Sequence, residues 1–288
     1  VFIMGLSFLL MSLIRNQAVT FVIILGYIGL TLFLIQDAWY YVFDYMAFNI
    51  PMLRSEIVGF GNLDLILGHR GIYFCLGTGF IFLTIFLLKR LPQSESMTFF
   101  SVILSVLFIG AGGYLAYRHV NRFVQNDHRR AEAVSLNNHY GALPVADVVS
   151  NDLNLQHKGN SIEVKSQMAL VNNTRRPIDS LVFNLNPGLE IGMVKLEGEE
   201  ITPVREKQII IIPLKKGMSP ADTLTVEMTY RGIIDEAYCY LDIDNETQRQ
   251  KYGEFVTNID KRYAFITPDY LLLTREAGWY PETGASFS

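Results

Sequence analysis

The sequence predicts a membrane α-helical region followed by an all-β domain, an antiparallel sandwich or saddle-like sheet. Three observations predict it. Residues 97–117, reading MTFFSVILSVLFIGAGGYLAY, hold no charged side chain over 21 residues. A helix of that length covers roughly 31 Å, the thickness of a bilayer's hydrocarbon core. Two further uncharged runs of 18 residues, 18–35 and 71–88, precede it. From about Pro144 onward the apolar period changes from 3.6 to 2, the mark of half-buried strands.

The overall composition pools two unlike parts. Of the 24 Lys and Arg and the 28 Asp and Glu, residues 1–117 hold five of each, so 118–288 carry the whole formal net charge of −4. The 50% apolar content and the mean hydropathy of +0.24 come from the first part. No long basic run exists, which sets nucleic-acid binding aside. Cys75 lies in an apolar run and Cys239 in the second part, with neither a Cys-x-x-Cys nor a zinc-ribbon spacing. Each reads as a small apolar residue.

The first apolar run, 1–14, would reach only about 21 Å as a helix, too short to span. It lacks the basic leader and small-residue cleavage site of a signal peptide. It is expected to be the tail of a helix that begins upstream. The closing residues GASFS carry no cap or helix, so the chain is expected to be a piece of a longer protein. Arg15-Asn16-Gln17 separates this run from the span 18–35.

Residues 36–69 form a connection opening with Trp39, Tyr40, Tyr41, Phe43, Tyr45 and Phe48, interleaved with Asp37 and Asp44. Rings among polar groups suit the headgroup region, so a short surface helix ending near Pro51 is expected, with a packed loop as the alternative. The span 71–88 is stopped by Lys89 and Arg90, and a link containing Pro92 leads to 97–117. There Gly110, Ala111, Gly112 and Gly113 would let another helix approach closely. No ionisable residue sits well inside a span, so no relay of buried charges is expected. Arg15, Lys89 and Arg90 flank the short loops and point to the cytoplasm, leaving 36–69 and 118–288 outside. Arg118, Arg122, Arg129 and Arg130 count the other way, but long domains obey the rule less strictly than tight loops.

Residues 118–143 read as a helical stalk and linker. Val120, Phe123, Val124, Ala131 and Val134 recur at helical spacing until Asn137-Asn138 and Gly141 break the pattern. In 144–288, Ile162, Val164, Met168 and Leu170 alternate with polar residues, and a turn at Asn172–Thr174 and Pro177 follows. Then come a strand over 181–185, a turn at Asn186-Pro187-Gly188 and a strand over 190–196. The unbroken Ile209–Ile212 predicts a strand buried on both faces. Leu224, Val226, Met228 and Tyr230 alternate cleanly, giving strands at the short spacing of a sandwich.

A metallopeptidase zinc site needs two His one helical turn apart with a Glu to polarise water. His69, His119, His128, His139 and His157 include no pair four apart, and none is followed by Glu. A Gly-x-Ser-x-Gly elbow and a phosphate loop are absent. Residues 242–246, DIDNE, resemble a calcium loop but lack its later Gly and Glu, so a solvated acidic loop is expected. Asn172 and Asn245 head sequons of a kind that arise often by chance. Arg275–Pro281, with Trp279 beside Tyr280, reads as a structural corner or as the wall of a cleft. The sequence therefore supplies no catalytic, cofactor-binding or metal-ligating residue.

Two resemblances follow from these residues. Residues 144–288 resemble the N-terminal β-domain of zinc aminopeptidases related to membrane alanyl aminopeptidase. The resemblance rests on the strand through Val164, the segment LVFNLNPGLE (181–190), Ile209–Leu214, Leu224–Tyr230 with Arg231-Gly232, and Gly278–Pro281. In that family the catalytic domain and its zinc come later in the chain, so no catalytic residue transfers to this one. Residues 1–90 resemble the closing part of an ABC-type exporter permease, and the combination resembles the permease–aminopeptidase fusions of Bacteroidetes. The resemblance implies a bacterial inner-membrane protein with 118–288 in the periplasm. It also implies a bilayer, other transmembrane helices and an ABC ATPase subunit as partners, and peptide as substrate only with the downstream domain. The competing function is a permease bearing a β-sandwich that binds or senses, without peptidase activity.

Overall fold

The computed structural model describes residues 1–52, 54–56, 59–88, 95–257, 259 and 261–285. The chain divides into two compact units. The first comprises Val1–Leu53 with Asn62–Gln125, the second Arg54–Gly61 with Asn126–Ser288.

The first unit is helical. Helix α1, Phe2–Ile14, ends on Arg15, whose φ of 57° turns the chain left-handed. Helix α2, Gln17–Phe33, is capped by Asn16, whose side chain accepts from the N–H groups of Ala18 and Val19. After α3, Ala38–Tyr41, and the paired strands β1 (Arg54–Ser55) and β2 (Gly59–Phe60) of the second unit, helix α4 runs Leu63–Leu87. Helix α5 runs unbroken over Glu95–Tyr140, 46 residues. By length and composition α4 and α5 are the two helices able to cross a membrane among the described residues, with α1 and α2 shorter apolar helices. Lys89, Arg90 and Pro92 lie outside the described residues.

Glycine sets how these helices cross. A Cβ on Gly5 of α1 would stand 2.2 Å from the Gly77 carbonyl oxygen of α4, so the backbones touch there. Along the α4–α5 seam Gly112 meets Ile72 and Leu76, Gly79 meets Ile109, and the Ser105 hydroxyl donates to the Gly79 carbonyl at 3.0 Å. Of the four small residues expected to admit a neighbour, Gly112 does so, whereas Gly110 and Gly113 face open space.

Two expectations for this unit are corrected. Helix α4 begins at Leu63 rather than near residue 71, and so takes in Asp64, His69 and Arg70. The aromatic connection is a packed cap, not a surface helix. Tyr41, Val42, Asp44, Ala47 and Ile50 are buried, and residues 39–41 adopt left-handed φ of 54–61°. Such a turn costs about 1–2 kcal/mol per residue and needs partners to hold it. Trp39 and Phe48 still point outward, at 69% and 66% exposure.

The second unit is an antiparallel sandwich. One sheet has the order β3-β4-β10-β6-β7, from Asp147–Lys158, Ser161–Val171, Thr223–Gly232, Leu189–Leu196 and Glu199–Ile201. The other has the order β13-β5-β9-β8, from Glu282–Thr283, Ile178–Asn184, Ile209–Met218 and Val204–Glu206. Val164, Met168, Met228 and Tyr230 of the first sheet share one core with Leu181, Phe183, Ile210 and Ile212 of the second. Helix α6, Asn245–Thr257, and the hairpin of β11 (Ala264–Thr267) and β12 (Tyr270–Leu273) complete the unit.

The Ile209–Ile212 run is covered on both faces. Ile210 and Ile212 face the sandwich core, while Ile209 and Ile211 lie with Val182, Ala285 and two residues of α5, Leu136 and Tyr140. The end of α5 is thus a layer of this unit, and it continues through Asn137-Asn138 to Tyr140.

Candidate functional site

In the second unit the polar side chains gather where α5 lies on the sandwich. Arg130, buried, donates through Nη1 to the Cys239 carbonyl and through Nη2 to those of Tyr240 and, at 2.9 Å, Ile243. Three carbonyls at the end of a loop thereby find one planar donor, geometry that a lysine would not reproduce. One turn on, Gln208 Nε2 donates to the Ala133 carbonyl at 2.7 Å and to Asn137 Oδ1 at 3.0 Å. Exposed or half-buried pairs flank this seam: Arg129 with Asp235, Lys207 with Glu132, and Arg249 with Asp127.

Beside it, Asn186 holds the turn expected at Asn186-Pro187-Gly188. Its Oδ1 accepts from Gly188 and Asp235 N–H, and its Nδ2 donates to the Asp235 and Ala277 carbonyls at 3.0 Å. The Glu236 carboxylate accepts from the N–H groups of Tyr263 and Ala264, and burial holds its pKa above the usual carboxylate range despite those bonds. Burial likewise pushes the Cys239 thiol well up, leaving it protonated and inert, while Cys75 is also free.

The segment Arg275–Pro281 is a corner. A 3₁₀ turn over Arg275–Ala277 ends on Gly278 at φ 59°, Trp279 packs on the core, and Arg275 pairs with Glu282. The acidic stretch 242–246 is a helix start. Asp244 accepts from Thr247 N–H at 2.7 Å and its hydroxyl at 3.0 Å, bonds that hold its pKa below the ordinary value.

In the first unit three side chains clasp the left-handed turn by consecutive carbonyls. His119 Nε2 donates to Tyr40 at 2.9 Å, His69 Nε2 to Tyr41 at 3.0 Å, and the Tyr73 hydroxyl to Val42. A carbonyl only accepts, so both histidines carry their proton on Nε2. Their rings lie 5.3 Å apart, and Phe123 stacks on Tyr40 at 5.2 Å. Next to them is a cavity of about 380 Å³ lined by Asp64, Gly68, Arg118, His119 and Arg122, with leucines as its apolar walls.

Among the described residues no group of three His, Cys, Asp or Glu side chains could hold a metal. His69 and His119, whose rings meet, have both Nε2 atoms engaged with carbonyls. Sequence reasoning missed the Arg130 seat and the cavity, since both join residues far apart in the chain. The i, i+4 spacing of Arg118 and Arg122 was the available signal for the cavity.

No protein-family model matches the chain, and no curated protein matches it. Among solved structures it is similar to an M1 zinc metallopeptidase from Deinococcus radiodurans, at 20% identity and a TM-score of 0.29, over 33% of this chain and 21% of that one. It is also similar to Legionella pneumophila aminopeptidase A bound to aspartic acid, at 19% identity and a TM-score of 0.27, over 33% of this chain and 11% of that one. The chain thus spans about a fifth of the first of those proteins and about a tenth of the second, and likenesses this partial assign it to no family.

Proposed function

We propose that this chain is the membrane anchor and non-catalytic β-domain of a membrane-bound zinc aminopeptidase. The observation that carries the anchoring half is helix α5. Its uncharged stretch, 97–117, is long enough to cross a bilayer, and its last turns pack on the outer face of one sheet of the sandwich. The peptidase half rests on the order of pieces in 144–288. The segments carrying that resemblance correspond to strands β4, β5, β6, β9 and β10 and to the corner at Gly278–Pro281. In the intact protein the β-domain shapes one wall of the peptide cleft, and zinc with its general base is supplied by a later domain.

The finer reading is a permease fusion. Residues 1–90 supply the last permease spans, an ABC ATPase subunit is the partner, and 118–288 face the periplasm of a bacterial inner membrane. The sequence of the gene beyond Ser288 tests the peptidase half. A His-Glu-x-x-His motif within the next few hundred codons is expected. Its absence would leave a permease-borne β-sandwich that binds or senses and does not cleave.

A further inference from the structure

We propose that the cavity between the start of α4 and the middle of α5 is a binding site for the phosphate of an anionic phospholipid. The inference rests on the membrane reading of α4 and α5 and goes beyond the proposed peptidase role.

Arg118 and Arg122 stand four residues apart and so share one face of α5, with His119 between them in sequence. Opposite, Gly68 presents no side chain, and a Cβ built on it would meet nothing within 4 Å, so the wall of the cavity is open there. Among the described lining residues Asp64 carries one negative charge and Arg118 and Arg122 carry two positive ones. Guanidinium forks match phosphate oxygens in pairs, and the volume of about 380 Å³ admits a phosphate with its ester substituents.

The site also stands at the right depth. Arg118 directly follows the uncharged stretch that ends at Tyr117. Around that level Leu67, Phe74, Tyr114 and Tyr117 are 55–66% exposed, an apolar and aromatic surface suited to acyl chains beneath a headgroup. A free phosphate would gain nothing from that surface, whereas a lipid uses both parts.

The test uses the full chain in nanodiscs of phosphatidylcholine with or without phosphatidylglycerol, reading phospholipid retained on release by native mass spectrometry. Retention of phosphatidylglycerol over phosphatidylcholine by about tenfold is expected, falling close to parity in the Arg118→Gln/Arg122→Gln protein and unchanged in Arg175→Gln. Gly68→Leu, which fills the cavity without altering charge, should lose the preference too. Equal retention of both lipids, or a preference that survives either cavity variant, would overturn the proposal. So would inorganic phosphate that binds with the same arginine dependence and displaces the lipid, since the source would then be the free anion. A chain that stays soluble without detergent and does not enter nanodiscs would overturn the membrane reading itself. A chain that enters them without lipid preference overturns the site alone.

Discussion

The side-chain amide of Gln208 donates to the main-chain carbonyl of Ala133 at 2.7 Å, fastening the end of α5 to the outer face of a sheet. Both residues are fully buried. The contact makes the last turns of α5 part of the sandwich and not a tether beside it. Replacing Gln208 by leucine removes the donor and leaves the Asn137 side chain short of a partner, so a loss of about 1–3 kcal/mol is expected in chemical denaturation of the second unit. An unchanged midpoint would mean that the sandwich does not need the helix.

Tyr230 lies in the sandwich core at 1% exposure, and its hydroxyl has no hydrogen-bond partner among the described residues. Burial raises its pKa, in keeping with an apolar setting. Tyr230→Phe removes the orphaned polar atom and keeps the ring. The expected result is a gain of up to about 1 kcal/mol, read as a higher melting temperature. A clear loss would reveal a partner for the hydroxyl.

Glu236 gives a pH dependence with a definite sign. Burial raises its folded-state pKa above the unfolded one, so the native state holds the proton more tightly. The resulting stabilisation is complete below the unfolded carboxyl value and is lost as pH rises through the raised folded value. Glu236→Gln keeps an oxygen for the N–H groups of Tyr263 and Ala264 and removes the titration. Denaturation measured across that window should lose part of its slope in the variant, and identical slopes would contradict the assignment.

Glycine at the α1–α4 crossing is required by space. A Cβ on Gly77 would stand 2.6 Å from Phe2 Cα, a backbone atom that cannot step aside alone. Gly77→Ala should destabilise the crossing by about 1–3 kcal/mol, whereas Gly113→Ala, which meets nothing within 4 Å, should be tolerated. Thermal unfolding of the two proteins in detergent compares them directly, and equal effects would place the helices further apart.

What was legible in the sequence is what one buried face writes into it. Strands β4 and β10 alternate because one side of each enters the core, and Ile209–Ile212 is unbroken because α5 covers the other side. Strand β3 went unread, since Asp147–Lys158 is exposed along most of its length and is held by pairing with β4. Helix α6 went unread because its residues are polar, and its start was read as an acidic loop although Asp244 with Thr247 is a cap. Arg130 resembled its neighbours in a solvated stalk, and only the fold brings three carbonyls to it. The aromatics of 36–69 suit a membrane surface and a packed cap equally, and the choice is made by His69, Tyr73 and His119 reaching their carbonyls.

The most direct test of the account is peptidase activity in membranes from cells expressing the whole gene from which this chain comes. Hydrolysis of an aminoacyl amide that sediments with the membrane, is lost on chelation and returns with zinc is the predicted result. Membranes that contain the protein and show no chelator-sensitive hydrolysis would contradict it.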